Sequence, residues 1–203
     1  FIREMAMAFK HAIALTGSIS TGKSTTVKLF KSFGFYVIDA DTIAHQVLDE
    51  QHQAIADMFG EAFVKEGKVD RKALGSIVFR DDEKRKALEA LLHPLIYEEI
   101  ERQSNNQDRK EKPYFIDIPL FFESGRYPIK KSLVVYATKA QQLERLISRE
   151  GYTQQEAHNR INTQIPVEEK RKRANYVIDN SGTLMQLEKE CKRVKEEILN
   201  DSY

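Results

Sequence analysis

Cysteine is nearly absent: Cys191 is the only one in 203 residues, so no intrachain disulfide can form. A reducing interior such as the cytoplasm is the expected home for such a chain. Cys191 falls on an apolar helical stripe and reads as buried filler rather than a reactive thiol. Long hydrophobic runs are missing too. No stretch approaches the roughly 18 apolar residues that a bilayer-spanning helix requires. "FIREMA" carries charges, but no long apolar core follows it, so no secretory signal is read there. Met7 is a candidate native start. Charge of one sign is not in excess either. The 32 basic and 31 acidic residues nearly cancel, which leaves no net field drawing the chain to nucleic acid or a membrane. Internal repeats and low-complexity tracts are also lacking. What remains is a chain long enough for one ordinary core, with room for an inserted subdomain.

Against that background "GSISTGKSTT", Gly17 to Thr26, stands out. It follows the apolar run "HAIALT" and precedes the amphipathic "VKLFKSF". Its spacing, G-x-x-x-x-G-K-S, is that of a phosphate-cradling loop. Such a loop aims backbone N–H groups and the positive end of a helix at phosphate oxygens. The candidate nucleotide-binding residues are therefore Gly17, Ser18, Ile19, Ser20, Thr21, Gly22, Lys23, Ser24 and Thr25. Lys23 would reach the β- and γ-phosphates, and the Ser24 hydroxyl would ligate Mg²⁺.

The surrounding pattern predicts a strand over Ala12–Gly17 and a helix over Lys23–Phe33, with Val27, Phe30 and Phe33 on one face and Gly34 ending it. "FYVIDAD" reads as a second strand, so the unit is β-α-β and the sheet parallel. Residues 42–113 break the rhythm. They read as mostly helical, with no convincing buried strand, and "SNNQDRKEKP" reads as an exposed loop. Strands resume at "YFIDIPLF", at Ser132–Thr138 and at Asn175–Asp179. A long helical, arginine-rich segment separates the last two. A final helix carries the stripe Leu184, Leu187, Cys191, Val194 and Ile198. The expected architecture is α/β: a five-stranded parallel sheet with helices on both faces, of the P-loop nucleotide-kinase type, with a helical insertion and a lid.

In open parallel sheets ligands sit beyond the carboxyl ends of the strands. Asp39 and Asp41 close the second strand, and Asp117 closes the third. Any of them could accept a proton from an attacking hydroxyl or hold Mg²⁺, directly or through water. Asp39 and Asp41 would face the same way if the strand stayed regular. Asp41 could instead be the N-cap of "TIAHQVL". Arg145 and Arg149 share a helical face, and Arg160, Arg171 and Arg173 follow. Arginines here suggest a lid closing on transferring phosphate; a solvated charged helix is the plainer reading, since Glu144, Glu150 and Glu156 alternate with them. Glu123 and His93 are further candidates, against a solvated acid and a packing histidine.

Taken together, "ALTGSISTGKSTT", "VIDADTIAHQVL", "LLHPLI", "IPLFFESG", "QLERLISRE", "RINTQ" and "YVIDNSG" resemble, in order and spacing, the dephospho-coenzyme A kinases. The resemblance runs from His11 to about Leu199. It implies ATP-dependent phosphorylation of the ribose 3′-hydroxyl of dephospho-coenzyme A, giving coenzyme A and ADP, with ATP and Mg²⁺ as cofactors and a small molecule rather than nucleic acid or membrane as partner. It also implies a nucleotide-binding core over 7–41 and 114–203, a coenzyme-A-binding insertion over 42–113 and a lid over 138–175. By matching position Asp41 is the catalytic base near the acceptor and, with Ser24, a metal ligand. Lys23, Arg145 and Arg149 serve ATP and the transferring phosphate, and Asn180 in "IDNSG" lies near the adenine. His93, Glu123 and Arg160 are candidate substrate contacts. Two departures stand out. Ser18 and Ser20 take places where the family loop usually has glycine, which puts the backbone demand on Ser18, and Asn175 stands where many members have Asp. A kinase for another small acceptor, such as a nucleoside monophosphate, would share the core, lid and arginines. A guanine-nucleotide switch would want D-x-x-G after the third strand and N-K-x-D elsewhere; the third strand is followed by "PLFFESG", and N-K-x-D is absent.

Overall fold

The computed structural model describes residues 8–201, so Met7 lies outside it. Strand β1 (Ala12–Gly17) is buried along its whole length and runs into helix α1 (Lys23–Ser32). Gly34, at φ +89°, turns the chain toward β2 (Val37–Asp39). A short hairpin, β3 (Val64–Lys65) with β4 (Lys68–Val69), lies apart from the main sheet. The remaining strands are β5 (Tyr114–Asp117), β6 (Lys131–Tyr136) and β7 (Tyr176–Asp179). Five strands form one sheet in the order β2-β5-β1-β6-β7. β1 pairs parallel with β5 and with β6, and β6 with β7.

The continuous apolar strands are what a sheet covered on both faces requires. On one face Ile13, Leu15, Phe115, Leu133, Val135, Tyr176 and Ile178 pack with Phe30 of α1 and with Leu187, Cys191, Val194 and Ile198 of the final helix. The alternating residues Ala14, Ile116 and Val134 are equally buried, so the opposite face is covered as well. The intervening helices are α2 (Ala40–Glu50), α3 (His52–Phe59), α4 (Arg71–Val78), α5 (Asp82–Asp108), α6 (Phe121–Ser124), α7 (Lys139–Glu150), α8 (Gln154–Asn162), α9 (Val167–Arg173) and α10 (Leu184–Asn200). The chain divides into two compact units. One comprises the residues up to 38 and from 104 onward; the other is 39–103. The second unit has its own core, in which Leu48, Ile55, Val69 and Leu74 are buried against partly covered residues such as Leu88 and Leu92.

Four sequence-based expectations are corrected. The strand of "FYVIDAD" stops at Asp39, whose side chain accepts from Thr42 N at 2.9 Å and caps α2. Asp39, not Asp41, is therefore the N-cap, and Asp41 sits in the first helical turn. The two acids do not share a strand face. Second, residues 42–113 do contain strands, in the β3–β4 hairpin, where Gly67 supplies φ +72° at the turn. Third, the predicted exposed loop from Ser104 is helical as far as Asp108. Ser104 and Gln107 are buried there, and the Asp108 carboxylate accepts the N–H groups of Lys10 and His11 at 3.1 and 2.9 Å. Those tertiary contacts override weak helix propensity. Finally, Leu184 is 60% exposed, so the buried stripe of α10 begins at Leu187.

Candidate active site

The loop between β1 and α1 is shaped by the space around its backbone. A Cβ on Gly17 would lie 2.7 Å from Thr21 Oγ1 and 3.0 Å from the Val135 carbonyl, so only glycine leaves that path open. Gly22 holds φ +94° at the N-cap of α1, where no side chain caps the helix and no acid lies in its first turn. A Cβ at Gly22 would run into the Asn180 amide, which donates to the Thr21 carbonyl at 2.8 Å. The backbone demand expected at Ser18 falls on Ser20, at φ +57°, whereas Ser18 has no positive φ. Thr21 closes the turn by donating its hydroxyl to the Ser18 carbonyl at 2.9 Å.

The walls come from distant segments. Gln142 of α7 donates to the Ile19 carbonyl at 2.7 Å, and Ile19 N–H donates to Gln164 at 2.9 Å, so two glutamines clamp one residue of the loop. Arg145 donates to the Ser20 carbonyl at 3.2 Å and to the Asn180 carbonyl at 2.9 Å. Burial pulls its guanidinium downward from the ordinary arginine value; the like charge of Arg149 acts in the same direction and Glu144 opposes it. It stays a cation. Lys23 pairs with Asp117 at the carboxyl end of β5. A cleft of about 390 Å³ results, lined by residues 17–25 with Pro119, Arg145, Arg149, Glu150 and Gln164. An electropositive cleft floored by a helix start suits a polyphosphate.

One buried cation supports the loop from beneath. Lys170 of α9 is fully buried. It donates to the Gly17 carbonyl at 3.2 Å and pairs with Glu123 at 2.7 Å. The same Glu123 oxygen accepts Ile165 N–H at 3.1 Å. Glu123, expected as a substrate contact, is engaged with Lys170 and Ile165. Arg160 does not line the cleft; its guanidinium lies 4.3 Å from the centroid of the Tyr152 ring. Arg171 lies over Tyr136 at 4.5 Å, and Arg173 lies 4.0 Å from Glu169. The structure therefore gathers residues 17–25, Asp117, Arg145, Arg149 and Asn180. Asp39, Asp41 and His93 belong to the 39–103 unit, where His93 is half-buried in α5 beside Pro94. Gln142, Gln164 and Lys170 are the loop-supporting residues that the sequence does not single out. Gln142 opens "QLERLISRE" and Gln164 closes "RINTQ", while Lys170 shares a short helix with three other basic residues that hide it.

The model of the dephospho-CoA kinase family, CoaE, matches residues 11–186, which span both units. The chain belongs to the dephospho-CoA kinase family. It is 51% identical over 192 residues to the dephospho-CoA kinase of Sulfurimonas denitrificans, covering 95% of this chain and 96% of that one. With the dephospho-CoA kinase of Helicobacter pylori it shares 44% identity over 95% of this chain and the whole of the relative. Among solved structures, the dephospho-CoA kinase from Campylobacter jejuni superposes with a TM-score of 0.72 at 37% identity, covering 94% of this chain and 98% of that one. TT1252 from Thermus thermophilus does so with a TM-score of 0.75 at 38% identity, covering 92% and 96%. The phosphate loop, the arginine-bearing α7 and the "IDNSG" turn all lie within the matched residues. No group of three or more His, Cys, Asp or Glu side chains among the described residues could cage a metal. No helix among them is long and apolar enough to cross a membrane.

Proposed function

We propose that this chain moves the γ-phosphate of ATP to the ribose 3′-hydroxyl of dephospho-coenzyme A, giving coenzyme A and ADP. The observation that carries this reading is the family match over residues 11–186, because it spans the phosphate loop and the separate 39–103 unit alike. The loop alone would fit many kinases.

Phosphoryl transfer needs positioning and charge neutralisation more than covalent help from the protein. The loop amides and Lys23 hold the β- and γ-phosphates. Arg145, fixed at two carbonyls, retains further N–H donors, and with Arg149 it faces the charge spread over the transferring oxygens. Asn180 stands beside the adenine. Asp41, in the first turn after β2, takes the proton from the 3′-hydroxyl as the oxygen attacks. His93 is the remaining acceptor contact from the 39–103 unit. Mg²⁺ fits the donors present: a Ser24 hydroxyl with a carboxylate, Asp117 or Asp41, suits an ion that takes most ligands from water and phosphate and needs no protein cage. When bound, it neutralises phosphate charge. The cytoplasm suits the lone unpaired Cys191.

The test is ADP release in a coupled assay with dephospho-coenzyme A, set beside AMP, CMP and shikimate. Turnover is expected with dephospho-coenzyme A alone. Turnover with only one of the others would overturn the acceptor.

A further inference from the structure

A second cavity opens at the other end of the sheet. The phosphate loop follows the carboxyl end of β1, whereas this cavity lies where the chain enters β2 and β5. Its volume is about 560 Å³, against about 390 Å³ for the loop cleft. That falls within the range of small-molecule sites. Its floor is aromatic. Phe35 is fixed to the core by an edge contact with Phe30 and a tilted one with Phe115, at 5.4 and 5.1 Å between ring centroids. Tyr36 is 47% exposed while its carbonyl is held by Phe115 N–H, so the ring is presented on a rigid backbone.

The rim carries charge of one sign. Lys31, Lys110, Lys112 and Lys195 line the cavity, and no Asp or Glu does. In a chain whose charges almost cancel, that is a local concentration. Lys110 Nζ rests 5.5 Å from the centroid of the Tyr36 ring and bonds Gln107 at 3.1 Å. Lys195 Nζ lies 5.6 Å from the Phe33 ring and 4.0 Å from Glu196, which is not part of the lining. Four ammonium groups around one concavity repel one another, and an anion placed among them relieves that repulsion. The exposed ring adds a stacking face.

We infer that this cavity is a second binding site for a nucleotide-class ligand, a planar aromatic ring bearing two or more negative charges. Its occupant does not compete sterically for the phosphate loop.

Equilibrium dialysis of labelled ADP at low ionic strength tests this. Wild-type chain should hold two equivalents. Lys23→Ala should retain one, at the second site. A chain carrying Tyr36→Ser, Lys110→Glu and Lys112→Glu, all exposed positions, should lose that equivalent, keep the other and keep kinase turnover within about twofold. Stacking of a base on an aromatic ring is worth ~1–3 kcal/mol, so inorganic pyrophosphate should displace the second ADP at least about fivefold less well than ADP itself. One equivalent in the wild type would overturn the site. So would a second equivalent indifferent to the triple substitution. Pyrophosphate as effective as ADP would overturn the nucleotide class.

Discussion

Ser20 holds a left-handed backbone at φ +57°, a conformation that costs an L-residue with a Cβ about 1–2 kcal/mol. Its hydroxyl recovers little, since the Glu150 contact is long, at 3.4 Å, and exposed. Ser20→Gly should therefore stabilise the chain by about 1 kcal/mol after the extra unfolded-state entropy of glycine is counted. Calorimetry should show Tm rising by about 2–4 °C. A Tm unchanged or lowered would mean that the loop relaxes at no cost in the wild type. The proposed base, Asp41, is tested by kinetics instead. Asp41→Asn keeps the side chain's shape and removes its basicity. The expected result is unchanged ATP affinity with kcat down by about 10²–10⁴-fold, measured as ADP release and nucleotide titration side by side. Equal turnover would take the proton-accepting role from Asp41.

At the scale of elements, α9 and α6 meet through Lys170 and Glu123. Removing one partner of a buried pair strands the other charge at about 3–5 kcal/mol. Lys170→Met should thus unfold early in urea, while Lys170→Met with Glu123→Gln should recover much of that loss. Because Lys170 also holds the Gly17 carbonyl, turnover in the double variant should stay at least about tenfold low, the cost of misplacing the loop by a fraction of an ångström. Full activity there would reduce the lysine to a structural support. Helix α5 offers a pH test within the 39–103 unit. Arg102 bonds both carboxylate oxygens of Glu99 at 2.7 Å and holds that carboxyl down to about 2 from its ordinary 4.5. The folded value lies below the unfolded one, so the stabilisation is complete above about pH 4.5 and fades as pH falls toward 2. Arg102 is 63% exposed, so solvent screening limits the gain to below ~1 kcal/mol. The Tm gap between wild type and Glu99→Gln should be widest at neutral pH and close by pH 2.

At the scale of the whole molecule, sequence and structure agree wherever the signal is local. The strand–loop–helix of residues 12–33 is written in a glycine spacing, an apolar run and a 3.6-residue stripe, and each acts over one or two turns. The same holds for the buried strands over 114–117, 131–136 and 176–179. What stayed hidden depends on contacts distant along the chain. Gln164 reaches Ile19 across 145 residues, and Lys170 reaches Gly17 across 153. No window of sequence marks one glutamine or one lysine among several as the buried one. The helical Ser104–Asp108 stretch is illegible for the same reason, Asp108 being held by the approach to β1. The exchange of Asp39 for Asp41 as the cap is different in kind: both spellings are good caps, and only the point where the strand ends decides between them.

Cys191 lies sealed on the buried face of α10, with its thiol pushed up to about 12 chiefly by burial. Being the sole sulfhydryl, it makes the protein its own clock. A colourless disulfide reagent that turns yellow on reaction should find nothing to attack until the helix lifts from the sheet, and the pace of colour then counts those openings. Any ligand that grips the folded chain should slow that clock, whichever crevice it occupies.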